Sequence, residues 1–216
     1  AATIVGCTKT SDPPGELAYD EARRELWVSM PKAGTLAVFD ARGGALAQIA
    51  TVVLGGTALG HAFASDGALV TYVGETASLA TIDVAARAVR STTQACVNGG
   101  GFDDVAAAGP FLIAACRNDV EWIQGTDVRA TKYGAYGRIA YVAERDRLYV
   151  VQGGRLAVTE KNTTFPPREV FAAGVPLDVR SVAVDARGRA YVLSPQQGKV
   201  LVFDVPASPP IPVPPP

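Results

Sequence analysis

The chain has 216 residues, 48% hydrophobic and 19% charged. That is long and apolar enough to bury a sizeable core without a disulfide framework, and too apolar for disorder over most of its length. Twenty basic against 21 acidic residues leave a net charge of −1. Balanced charge excludes the electrostatic footprint of a nucleic-acid binder, and no polybasic run addresses an anionic membrane surface.

In chain order the sequence reads as short strands closely spaced by Gly, Pro, Asn and Asp turns. It opens with a strand-like stretch over residues 2–7. One segment type then recurs: Leu17-Ala18-Tyr19-Asp20, Ala62-Phe63-Ala64-Ser65, Val105-Ala106-Ala107-Ala108, Ile139-Ala140-Tyr141-Val142 and Val182-Ala183-Val184-Asp185. The first residues of these segments lie 45, 43, 34 and 43 positions apart. Each is followed by a turn and a second strand: Leu26-Trp27-Val28-Ser29, Leu69-Val70-Thr71-Tyr72, Phe111-Leu112-Ile113-Ala114, Leu148-Tyr149-Val150-Val151 and Ala190-Tyr191-Val192-Leu193. Third strands fall at residues 36–40, 79–83, 120–123, 156–159 and 200–204, and fourth strands at 45–53, 88–94, 128–132 and 168–171. Residues 43–65 contain no Asp, Glu, Lys or Arg. Their polar residues and central Gly55-Gly56-Thr57 turn make them two strands and a loop rather than a membrane helix.

A period near 40 with four strands per repeat is the signature of a β-propeller blade. Each blade is an antiparallel sheet with two apolar faces, so blades must stack to bury both. Small residues such as Ala106, Ala107, Ala108 and Ala183 suit a crowded first strand, and Trp27, Tyr72, Tyr149 and Tyr191 fill the wider space at second strands. The fifth repeat stops after three strands at Val205-Pro206, while residues 2–7 are a spare strand. The expectation is an all-β, five-bladed propeller over residues 1–206, with four antiparallel strands per blade. The N-terminal strand pairs with residues 200–205, closes the ring and removes a free sheet edge. A β-sandwich also has short strands at even spacing, but it does not predict the repeat.

Leu26-Trp27-Val28-Ser29, Gly34-Thr35-Leu36-Ala37-Val38-Phe39-Asp40 and then Val53-Leu54-Gly55-Gly56 resemble the YVTN and NHL group of propeller repeats. Tyr191-Val192-Leu193-Ser194 with Gly198-Lys199-Val200-Leu201-Val202-Phe203-Asp204, and Ser78-Leu79-Ala80-Thr81-Ile82-Asp83, are similar. The third repeat, with Glu121-Trp122-Ile123-Gln124, departs from the pattern. The resemblance implies fold alone, since such propellers host lyases, lactonases, sensors and adhesion modules.

In a propeller the first strands line a central channel. The residues just before them are Glu16, His61, Asp104, Arg138 and Ser181, with Asp103 and Arg180 one position earlier. Read as a ligand site at the channel mouth, Arg138 and Arg180 clamp a carboxylate or phosphate. Glu16, Asp103 and Asp104 offer oxygen ligands to a cation, and His61 offers a general acid or base. Read as structure, strand starts are polar because loops face water. Both readings stay open. No catalytic set is assigned; His61 with Glu16 is the alternative for a lyase or lactonase acting at the mouth. Asp40, Asp83 and Asp204 end third strands and read as turn residues. No cofactor or metal is expected.

Cys7, Cys96 and Cys116 fit no zinc motif. The expectation is a disulfide between Cys96 and Cys116 with Cys7 free, closing a loop of about 21 residues worth roughly 3 kcal/mol in the chain-entropy model; the other reading is three buried thiols. Asn162-Thr163-Thr164 is a glycosylation sequon. Six prolines among residues 207–216 make that tail a polyproline II linker. Together these lean toward an extracellular or cell-surface location. The expected function is a non-enzymatic interaction or scaffold module that presents loops to a protein or glycan partner from a proline-rich stalk, without nucleic acid or membrane insertion.

Overall fold

The computed structural model describes residues 8–43, 46–64, 66–97, 101–132, 137–160, 166–179 and 181–206. It divides into two compact units, Ala1–Gly137 and Arg138–Pro216. The first unit carries three four-stranded sheets. Sheet 1 is β1 (Leu17–Asp20), β2 (Glu25–Met30), β3 (Thr35–Asp40) and β4 (Ala47–Val53). Sheet 2 is β5 (Ala58–Phe63), β6 (Leu69–Val73), β7 (Ser78–Asp83) and β8 (Ala88–Gln94). Sheet 3 is β9 (Phe102–Ala108), β10 (Phe111–Cys116), β11 (Asp119–Gln124) and β12 (Asp127–Lys132). Each is a meander in chain order whose neighbours pair antiparallel.

The second unit begins within β13 (Gly137–Val142) and continues through β14 (Arg147–Gln152), β15 (Arg155–Glu160) and β16 (Arg168–Gly174) as sheet 4. Sheet 5 is β17 (Ser181–Val184), β18 (Arg189–Ser194) and β19 (Lys199–Asp204), three strands among the described residues, with β19 at its edge. Val200 and Val202 of that strand are 58% and 55% exposed. The expected closing strand at residues 2–7 and the proline-rich tail at 207–216 lie outside the described residues.

Packing follows from the apolar runs. All five residues of β6 are buried. Its Leu69 joins Ile82 in a core with Trp27, Leu36 and Val38 of sheet 1. The neighbouring Val70 and Tyr72 pack instead with Val105, Ala114 and Ile123 of sheet 3. Side chains alternate across a strand, so a sheet covered on both faces needs an uninterrupted apolar run. In the second unit Tyr149, Leu156 and Val158 of sheet 4 pack with Ala190 and Val192 of sheet 5. The aromatic residues expected to fill space at second strands do so: Trp27 and Tyr149 are fully buried, Tyr72 is 5% exposed, and Tyr191 is half-buried.

The repeat also survives in the irregularities. The register between third and fourth strands shifts at Val38/Phe39, Thr81/Ile82 and Val158/Thr159, the fourth and fifth residues of β3, β7 and β15. A bulge at one place in three sheets bends each outer strand alike. Sheet 3 has no such shift. The charge-free stretch 43–65 forms β4 and β5 around a turn, and no helix among the described residues is long and apolar enough to cross a membrane.

Candidate functional site

β1 neighbours β5, and β5 neighbours β9, so the first strands of the three sheets in the first unit stand side by side. Of the candidate residues, Glu16, His61, Asp103 and Asp104 belong to this unit. Glu16 directly precedes β1, as expected. Its backbone is clamped to β2: Ser29 Oγ accepts the Glu16 N–H at 2.8 Å, and the Glu16 carbonyl accepts the Ser29 N–H at 2.9 Å. Gly15 fits beneath this clamp, because a Cβ there would lie 2.6 Å from Ser29 Oγ and 2.8 Å from Pro31 Cγ.

His61 does not precede its strand. β5 starts at Ala58, four residues ahead of the expected Ala62, and His61 lies inside it. The cause is a bulge at Gly60, whose φ of 62° shifts the pairing between Leu59 and His61. A glycine adopts this conformation without strain and re-aims the side chain that follows. The Phe102 ring covers Gly60; an added Cβ would sit 2.7 Å from it, and Phe102 stacks on Tyr72 at 4.1 Å. Both imidazole nitrogens of His61 are buried without a hydrogen-bond partner among the described residues. Burial pulls its pKa from 6.5 to about 4, with the backbone of Glu16 and Gly60 near enough to oppose but outside bonding geometry. His61 is therefore neutral at physiological pH, and among the described residues no carboxylate hydrogen-bonds it for acid–base work.

Asp103 and Asp104 are likewise inside a strand, β9, and half-buried. Asp104 accepts the Val105 N–H at 2.9 Å and Asp103 accepts the Gly137 N–H at 2.9 Å. The expected convergence of Glu16, Asp103 and Asp104 on a cation does not occur: among the described residues they form no set within ligating distance. Arg138, in β13 and half-buried, and Ser181, the first residue of β17, belong to the second unit. Arg180, Asn162 and Cys7 lie outside the described residues. The turn role of Asp40 and Asp83 is visible. Asp40 accepts the Arg42 N–H at 2.9 Å and pairs with its guanidinium, which holds the carboxyl down to about 2. Asp83 accepts the N–H groups of Ala85 and Ala86.

Two features lie outside the ring of strand-start residues, and the first is the expected cysteine pair. Cys96 and Cys116 are joined by a disulfide, S–S 2.06 Å and Cα–Cα 5.3 Å, which ties the end of sheet 2 to β10 of sheet 3. Beside it lies the carboxylate of Glu121, 2% exposed, which accepts the Cys96 N–H at 2.8 Å. That bond holds Cys96 in a left-handed backbone at φ 59°. Burial raises the Glu121 pKa, opposed by the Cys96 N–H and assisted by the charge of Asp119. The second feature is an open cleft of about 310 Å³ where sheets 2 and 3 meet. Leu112 and Ile123 line it on the apolar side, Ser91 and Thr93 on the polar side, and the Asp66–Arg90 ion pair, 2.8 Å, stands at its rim.

No family model and no curated protein sequence matches the chain. Solved structures do. A functionally unknown protein from Desulfotomaculum acetoxidans superposes with a TM-score of 0.73 at 12% identity, over 91% of this chain and 70% of that one. The Kuenenia stuttgartiensis hydrazine synthase gives 0.69 at 15% identity, over 92% and 68%. The β-propeller domain of Myceliophteria thermophila Cps50 (Swd1) gives 0.67 at 12% identity, over 87% and 64%. The fold is propeller-like. At these identities the likeness concerns the fold, and the chemistry must come from the residues present.

Proposed function

We propose that this chain is a non-enzymatic interaction module of the extracellular space or cell surface, a YVTN/NHL-type five-bladed propeller that offers a protein or glycan partner a rigid surface. In this reading residues 2–7 form the fourth strand of sheet 5 and close the ring, residues 1–206 are the propeller, and residues 207–216 are the stalk. The exposed edge strand β19 and the three-strand count of sheet 5 support closure, since an open edge invites pairing.

The observation that carries the binding function is the cleft between sheets 2 and 3. It combines an apolar wall with hydroxyls of Ser91 and Thr93 and a charged rim at Asp66 and Arg90. Such a mixture suits a polyhydroxylated or polar peptide ligand more than a reaction that must exclude water. The Cys96–Cys116 disulfide supports an oxidising compartment.

The test is a glycan and peptide array probed with the whole chain, repeated with Arg90→Ala and Thr93→Ala. Ligands lost in both variants, with melting unchanged, are expected. Reproducible turnover of lactone or lyase substrates that His61→Ala abolishes would overturn the reading in favour of a propeller enzyme. Deleting residues 1–8 is expected to lower the melting temperature, and an unchanged melt would remove the closing strand from the reading.

A further inference from the structure

The five third strands are each six residues long, and their third position is Ala37, Ala80, Glu121, Ala157 and Leu201. The three alanines are 2%, 1% and 2% exposed. Sheet 3 thus places a carboxylate where three other sheets place a buried methyl. An ionised carboxylate removed from water costs several kcal/mol unless something opposite in charge or hydrogen-bonding meets it. The Cys96 N–H meets one oxygen. Cys96 Sγ, Cys116 Sγ and a Glu121 oxygen all lie within 4.8 Å of one another, and they are the one such set of metal-ligating atoms among the described residues.

We propose that Cys96, Cys116 and Glu121 form a binding site for a thiophilic divalent cation of the zinc type whenever the disulfide is reduced, so that the cation and the disulfide exclude each other. A two-electron reductant, a dithiol or a phosphine, breaks the S–S bond and is itself oxidised, and each sulfur gains a proton. The cation then takes the two sulfurs as thiolates, and the two thiol protons leave to solvent. Two thiolates and one carboxylate are a donor set for Zn²⁺ or Co²⁺ rather than for Ca²⁺ or Mg²⁺. Zn–S bonds of about 2.3 Å in tetrahedral geometry set the sulfurs somewhat under 4 Å apart. With the Cα atoms 5.3 Å apart, side-chain rotation supplies that separation while Cys116 stays in β10 and Cys96 in the bend after β8. Glu121 is the ligand that decides the site. In the oxidised protein it anchors the Cys96 backbone, and in the reduced protein its charge meets the cation.

The test uses the whole chain carrying Cys7→Ser, which removes the third thiol. The phosphine-reduced and the oxidised forms are titrated with Co²⁺. The reduced form is expected to develop thiolate-to-cobalt absorption in the near ultraviolet and visible bands of tetrahedral cobalt, which stoichiometric Zn²⁺ bleaches; the oxidised form is expected to develop neither. Glu121→Gln is expected to weaken Co²⁺ binding by at least about tenfold, the scale found even for groups that only orient a ligand. If reduction unfolds the apo-protein, Zn²⁺ is expected to restore the near-ultraviolet circular dichroism of the buried Trp122. Absence of cobalt bands in a folded reduced protein, equal affinity in Glu121→Gln, or failure of Zn²⁺ to restore an unfolded one would each overturn the site. Partner binding by the oxidised protein is unaffected by any of these results.

Discussion

Acidification offers a measurement of what burying His61 costs. The ring is held neutral inside the protein with a pKa of about 4, against 6.5 in an exposed imidazole. Between those values the unfolded chain takes up a proton that the folded chain refuses. A basic group with a depressed folded pKa contributes full stability above the unfolded value and loses it as pH falls toward the folded value. At pH 5 the loss relative to pH 8 is about 2 kcal/mol, and it levels near about 3 kcal/mol below pH 4. For a chain of this length each kcal/mol moves the melting temperature by roughly 2–4 °C, so His61 accounts for about 4–8 °C between pH 8 and pH 5. The lowered pKa values of Asp40, Asp66, Glu75 and Asp185 add acid lability of their own. The assay is therefore a difference: thermal melts of the natural chain and of His61→Leu from pH 8 to pH 4.5. The two curves should separate as pH falls through 6.5, with the variant less acid-sensitive. Parallel curves over that window would refute the buried neutral imidazole.

Two stability predictions rest on single contacts. Gly15→Ala drives a Cβ to 2.6 Å from Ser29 Oγ and 2.8 Å from Pro31 Cγ, and should cost about 1–3 kcal/mol in urea unfolding as an overpacked site does. Tyr149→Phe removes the hydroxyl that donates to the Gly188 carbonyl at 3.1 Å and should cost about 1 kcal/mol or somewhat more, since that acceptor is left buried; a loss below experimental error would mean that water replaces the hydroxyl.

What was legible in the sequence was everything that repeats. The strand segments fall inside the observed strands at nearly every place, and residues 88–94 coincide with β8, because period-two alternation and turn residues are local properties. The first strand of sheet 2 is the exception. Ala58-Leu59-Gly60-His61-Ala62-Phe63 breaks the alternation at Gly60, and the break hides the strand's first half. An isolated glycine inside an apolar run is itself a bulge signal, so the position was readable. What it does to His61 was not, since the burial of the ring depends on the neighbouring strands and not on β5 alone.

The same distinction governs the site. Polar residues at strand starts are visible as a pattern, but a pattern of five positions says nothing about whether side chains converge. Asp103 and Asp104 turn out to accept backbone N–H groups, and Glu16 is exposed at the start of its strand. Glu121 teaches the opposite lesson. It was conspicuous only as a departure of the third repeat from the pattern of the other repeats, and a departure reads as noise until the register is known. Once β11 is aligned with β3, β7 and β15, the glutamate occupies an alanine position beside two sulfurs that are distant in sequence from each other. In a repeat protein the scaffold is specified by what the repeats share. Chemistry that sets this chain apart from a bare scaffold can enter where one repeat differs, and one such difference in the described sheets is the buried Glu121 against the buried Ala37, Ala80 and Ala157.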